Sequence, residues 1–229
     1  MLVLGPTLSA TELAAYTSTT PVVVLARAVE APGVEVIRTD DELGARLATE
    51  HLLALGHRTI VHLDGGRAPG AVERRRGFLA TMQARDLRDR ARLLPGGLGE
   101  ADGVSAAQVF LAERTGEPTA VFAFNDQCAI GFLQTVRDAG VRVPGDLSLV
   151  GYDDSRLAHA SWTRLTTVGQ DTPALAEGAV TRALARIRPP ELATPDKAEK
   201  PYLVAPSLVI RSTTARPAGT RHVPDARRL

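Results

Sequence analysis

The sequence predicts an α/β protein built on parallel sheets. Short unpolar runs rich in β-branched residues alternate with stretches whose apolar residues recur at helical spacing. Parallel strands require such a crossover between them. Two of the strand-like runs also stop abruptly against polar side chains: VFAF meets Asn125 and Asp126, and LSLVGY meets Asp153 and Asp154. In an open parallel sheet, ligands bind beyond the carboxyl ends of the strands. These polar residues therefore mark a candidate site along one sheet edge, with Asp126 also suited to cap the helix it precedes.

The elements follow in order. Pro21-Val22-Val23-Val24-Leu25 reads as a strand buried on both faces. Thr39-Asp40-Asp41-Glu42 matches a capping box, in which Thr39 and Glu42 each satisfy an orphan backbone N–H. The helix it opens carries Leu43, Leu47, Leu52 and Leu55 on a common face, and Gly56 is placed to end it. Thr59–Leu63 is a strand, DGGRAPG a loop, and Ala71–Arg85 a helix with Phe78 and Met82 on one side. A weaker strand near Arg92–Leu94 leads through PGGLGEADG into a helix with Val104, Ala107, Phe110 and Leu111 apolar. Thr119–Phe124 is a strand, Asp126–Ala139 a helix closed by Gly140, and Asp146–Tyr152 and Thr166–Val168 are strands. Ala174–Ile187 is a helix, RPPELATPDKAEKP a Pro-rich loop, and Tyr202–Ile210 a last strand. The tail, residues 215–229, lacks apolar periodicity and predicts disorder.

Composition narrows the function. Lys and Arg number 27 against 26 for Asp and Glu, a formal net charge of +1. This lacks the basic balance of a chain that neutralises many phosphates. The ERRR run at Glu73–Arg76 reads first as a solvated helix face. The single cysteine, Cys128, permits no intrachain disulfide and fits a reducing compartment. No export signal or apolar run of about 18 residues is present, which predicts a cytoplasmic protein without a membrane partner. The five histidines form no pair at metal-ligand spacing, and HExxH, CxxC and GxSxG are absent. GGRAPG lacks the Lys-Ser/Thr ending of a phosphate loop. The expectation is no enzyme, no metal and no cofactor. Carboxylates and amides on an apolar shelf instead suit a hydroxyl-rich ligand.

Several blocks then resemble one family. LGARLATEHLLALGHRTIVHLDG (43–65), ERRRGFLATM (73–82), AVFAFNDQCAIGFLQTVRDAGVRVPGDLSLVGYDDS (120–155), LTTVGQD (165–171) and SLVIRSTT (207–214) look like the effector-binding region of the lactose repressor (LacI/GalR) transcription regulators. The resemblance implies a type I periplasmic-binding-protein-like fold with two parallel-sheet subdomains joined by three chain crossings. It places residues 1–38 and 171–202 in an incomplete N-terminal subdomain and residues 39–170 and 203–214 in a C-terminal one. It further implies that Arg74, Asn125 and Asp153 bind the ligand, with Gln170 at a hinge crossing. Leu98 stands where the family often has an aromatic residue that stacks on the ligand. The implied partners are a small carbohydrate effector and a second copy of the chain. The chain begins near the family's third strand, so operator DNA is expected to be read only through a helix-turn-helix missing from it. Trp162 is a candidate interface aromatic.

Overall fold

The computed structural model describes residues 1–113, 119–187 and 201–218. Its strands are β1 (Leu2–Leu4), β2 (Val22–Leu25), β3 (Val34–Thr39), β4 (Ile60–Asp64), β5 (Ala91–Pro95), β6 (Ala120–Ala123), β7 (Ser148–Asp153), β8 (Thr166–Gly169), β9 (Tyr202–Val204) and β10 (Ser207–Val209). The helices between them are α1 (Ala10–Tyr16), α2 (Asp41–Leu55), α3 (Ala71–Gln83), α4 (Glu100–Glu113), α5 (Asp126–Asp138), α6 (Arg156–His159) and α7 (Thr172–Ile187). Two sheets result. The first has the order β1-β2-β3-β9, all parallel. The second has the order β10-β8-β7-β6-β4-β5, parallel except for β10.

The two central strands of the second sheet carry the core. Val121, Phe122, Leu149 and Val150 of β6 and β7 are fully buried, between α4 and α5 on one face and α2 and α3 on the other. In the first sheet Val23 and Ile37 pack under α7, while Val22, Val24 and Val36 face α1. Strand β3 and helix α1 went unread in the sequence.

The chain passes between the sheets after β3, after β8, and between β9 and β10. The run read as a single strand, Tyr202–Ile210, is thus two. Leu203 and Val204 still pair with Arg38 and Thr39 in the first sheet, whereas Ser207–Val209 pair antiparallel with β8 in the second. The change of sheet falls at residues 205–206, two beyond the expected boundary at 202/203.

Three local expectations are corrected. The capping box at Thr39–Glu42 does not form: Asp40 is the N-cap, accepting from Leu43 N at 3.0 Å. Thr39 is the last residue of β3, and Glu42 pairs outward with Arg76. Likewise α5 is capped by Asn125, whose Oδ1 accepts from Cys128 N at 2.8 Å, and not by Asp126. The tail, expected to be disordered from residue 215, is pinned there. Ser148 Oγ donates to Ala215 O at 3.0 Å, and His57 Nε2 lies 2.9 Å from the same carbonyl. His57 also meets Thr119 Oγ1 at 2.8 Å, so it ties α2, β6, β7 and the tail together at 2% exposure. Residues 219–229 and the Pro-rich loop at 188–200 lie outside the described residues.

Candidate functional site

The carboxyl ends of β6, β7 and β8 lie side by side, because those strands are neighbours in register. At the end of β7 the backbone leaves the sheet through two residues of positive φ, Asp153 (108°) and Asp154 (51°). Aspartate is among the few non-glycine types often found there. The turn presents Asp153 along the edge with 37% of its side chain exposed. Asp154 points aside, accepting from Arg211 Nη2 at 2.6 Å, with His159 at 3.1 Å.

Arg74 approaches the same edge from α3. It is no solvated face residue, being 5% exposed, and its neighbours divide the run's other charges. Arg75 pairs with Asp64 and Arg76 with Glu42. The Arg74 guanidinium donates from Nε to Asp41 Oδ1 at 2.9 Å and from Nη1 to Phe124 O at 2.7 Å. It lies 3.5 Å from the Tyr152 ring centre and 4.5 Å from that of Phe124, so both core aromatics offer their faces to the cation. Nη2 remains 3.9 Å from Asp153 Oδ1.

Gln170 Nε2 donates to Asp153 Oδ1 at 2.8 Å, and Gln170 Oε1 accepts from Thr39 Oγ1 at 2.6 Å. A single amide thereby links Asp153 to two of the passages between sheets. Burial pushes the Asp153 carboxyl up to about 6; Arg74 opposes this and Asp126 adds to it. Asp41 is also raised by burial, against the pull of Arg74. Asp126 is fully buried and raised for the same reason, accepting from Ser155 N at 2.7 Å and Thr167 Oγ1 at 2.6 Å.

Of the five expected residues, Arg74, Asp153 and Gln170 form one connected cluster. Asn125 and Leu98 form a second, one residue along from Phe124. Asn125 Nδ2 donates to Leu98 O at 2.8 Å, which ties the β5–α4 loop to α5. Leu98 is 53% exposed, its N held by Asp102 Oδ2 at 2.9 Å. Sequence reasoning missed Asp41 and Thr39, having assigned that polar run to capping. Four consecutive polar residues at a chain crossing were the available signal.

Two hollows flank these clusters, and none of the five residues lines either. The larger, about 560 Å³, sits at the outer edge of the second sheet beside β4 and β5, lined by Asp64, Leu93 and Asp102 among others. The other, about 480 Å³, has walls from both sheets: the segments after β1 and β2 on one side, and the β4–α3 loop with the start of α3 on the other. Its Gly70 is in close contact with Asp41, since a Cβ there would meet Oδ2 at 2.9 Å. This hollow therefore adjoins the Arg74–Asp41 pair. Among the described residues no group of three or more His, Cys, Asp and Glu could hold a metal ion. Cys128 is buried, its thiol donates to Gly96 O at 3.0 Å, and burial pushes it up to about 12, an environment that disfavours the reactive thiolate. Among the described residues no helix is long and apolar enough to cross a membrane.

Two parallel sheets linked by three passages, with polar residues gathered at the strand ends, define a periplasmic-binding-protein-like domain. The family model described as "Periplasmic binding protein-like domain" matches residues 49–214. A LacI transcriptional regulator from a Rhodococcus species superposes with a TM-score of 0.85 at 43% identity, over 94% of this chain and 77% of that one. A LacI family regulator from Enterococcus faecium, solved with bound ribose, gives 0.75 at 29% identity, over 86% and 71%. Among curated proteins, the HTH-type transcriptional regulator GalR of Salmonella typhimurium is 32% identical over 84% of this chain and 56% of its own length. The repressor PurR of Vibrio atlanticus is 31% identical over 84% and 57%. The chain belongs to the LacI/GalR family of transcriptional regulators and carries that family's effector-binding core, spanning little more than half the length of these curated relatives.

Proposed function

We propose that this core senses a small polar effector, a sugar, and passes its presence to operator binding by a DNA-binding unit that these residues do not include. The observation that carries the reading is Asp153. Its carboxylate stands part-exposed at the end of β7, its one amide partner, Gln170, is itself bonded to Thr39, and Arg74 is 3.9 Å away. A ligand hydroxyl donating to Asp153 would compete with the Gln170 bond. Occupancy would then change the hydrogen bonding of two passages between the sheets and bias their relative orientation. Effector and operator must in that case alter each other's affinity by the same factor. This reading takes the site as one that binds without transforming, in keeping with the curated relatives GalR and PurR, which are transcriptional regulators. The same reading has two copies pairing through the second sheet's face, where Trp162 is 54% exposed.

Thermal melting with a panel of pentoses and hexoses tests it. A ligand at a hundredfold excess over its Kd should stabilise by about 2.7 kcal/mol. Asp153→Asn should abolish the rise in melting temperature. A rise that persists unchanged in Asp153→Asn places the effector elsewhere.

A further inference from the structure

The hollow between the two sheets carries more positive charge than its own carboxylates neutralise. Arg27, just past β2, and Arg67, in the β4–α3 loop, both line it, and Glu73 is the acidic residue in its wall. Glu73 is already engaged, with Arg38 at the end of β3 standing 3.9 Å from it. That ion pair is loose, and the Arg38 side chain is only 16% exposed. Its buried Nε has no hydrogen-bond partner, and its Nη1 makes only a long 3.4 Å bond to Thr39 O. Arg27 donates through Nη1 to the carbonyls of Pro6 and Leu8, which hold it in place without cancelling its charge. Arg67 is exposed, and among the described residues it has no ion pair or side-chain hydrogen bond.

Two guanidinium groups, Arg27 and Arg67, thus line a space that both sheets wall, while its one carboxylate, Glu73, is paired with Arg38. With Glu73 held by Arg38, neither Arg27 nor Arg67 has a carboxylate partner among the described residues, so an anionic ligand would meet two uncompensated guanidinium groups. The guanidinium fork matches the oxygens of a carboxylate or phosphate. The hollow lies within the size range of small-molecule sites. Its lining holds no aromatic ring, and Leu98 supplies none nearby. Stacking against a flat base is therefore not what the site offers; charge is.

We infer that the effector is an anionic sugar, a sugar phosphate or a sugar acid, whose charged group sits between Arg27 and Arg67 while its hydroxyls reach the Asp153 edge. This rests on the reading of these residues as an effector core. Isothermal titration calorimetry tests it with matched probes: ribose against ribose 5-phosphate, and glucose against glucose 6-phosphate and gluconate, with inorganic phosphate alone as the control. In at least one set the anionic member should bind about tenfold or more tighter than its neutral partner. High salt and Arg67→Gln should each shrink that ratio toward one. Arg67 is exposed, so its variant should melt like the wild type, whereas Arg27→Gln can also loosen the loop after β1. Neutral sugars binding as well as their charged partners would overturn the inference and leave the sensor reading standing. A preference that survives Arg67→Gln, or inorganic phosphate binding as tightly as the sugar phosphate, would also overturn it. No binding by any probe, neutral or charged, would count against both readings.

Discussion

Replacing Arg74 by alanine should destabilise the domain itself, not merely its ligand response. Arg74 and Asp41 are 6% and 8% exposed and meet at 2.9 Å. Removing the cation leaves a carboxylate buried without its counter-charge, a change that costs about 3–5 kcal/mol in buried pairs. Asp41 has one escape, which sets a ceiling. It can take a proton, and neutralising a carboxylate of ordinary pKa (about 3.9) at pH 7 costs about 4 kcal/mol, at 1.36 kcal/mol per unit. The sign follows from its titration. Asp41 is already raised by burial and held down by Arg74. Without Arg74 its folded pKa climbs further above the unfolded value, so the deficit grows as pH rises through that folded pKa and fades in acid. Because wild-type Asp41 already carries part of that cost, the expected loss lies between about 1 kcal/mol and the ceiling at pH 7, and is smaller at pH 5, where the ceiling itself is roughly 1–2 kcal/mol. Urea denaturation of wild type and Arg74→Ala at both pH values measures this, with Asp41→Asn/Arg74→Leu as the neutral control that should lose less. A loss below about 1 kcal/mol at pH 7, or one that does not change with pH, would refute the buried-pair account.

Other expectations concern the core. A Cβ on Gly131 would sit 2.0 Å from Glu100 O, and one on Gly103 2.1 Å from Cys128 O, both backbone atoms that cannot step aside. Gly131→Ala should therefore cost about 1–3 kcal/mol, even though alanine favours a helix by about 1 kcal/mol; an unchanged urea midpoint would show that α4 and α5 are not in such close contact. His62 is fully buried, stacked on Phe122 at 4.6 Å, its Nδ1 at 2.9 Å from Phe122 O, and burial pulls it down to about 4. As a base with a depressed folded pKa, it contributes in full above about 6.5 and withdraws roughly 3 kcal/mol as pH falls toward its folded value. Asp153, raised to about 6, pulls the opposite way over much of that range, so the histidine's titration is best followed by NMR. A His62 midpoint near 6.5 would contradict the buried environment. Cys128 should resist thiol reagents in the native state and react only on unfolding, as its thiol is buried and raised to about 12; stoichiometric labelling of folded protein would disprove that.

The legible parts of this protein are those with a local cause. Burial on both faces leaves runs such as Val22–Leu25 unpolar, and helices carry their own spacing, so the alternation of strand and helix could be read directly. The polar residues at the ends of β6 and β7 were legible too, because an unpolar run that stops at Asn125 or Asp153 signals a change of environment within one residue. What those residues touch was not legible. Arg74 lies 33 positions from Asp41 and Gln170 131 positions from Thr39, so no local pattern announces either contact. The same limit hid the division of Tyr202–Ile210 between two sheets, where the strand propensity is continuous and only the partner changes. It also moved the caps of α2 and α5 by one residue, since Thr39 and Asp126 had better partners elsewhere in the fold. By itself the sequence determined the fold class, the core strands and the edge on which polar groups gather, because burial and periodicity act over neighbouring residues. Only the tertiary structure decided that Arg74 is half of a buried ion pair and that Gln170 joins Asp153 to Thr39, because charge pairing and hydrogen bonding act through space between residues far apart in the chain.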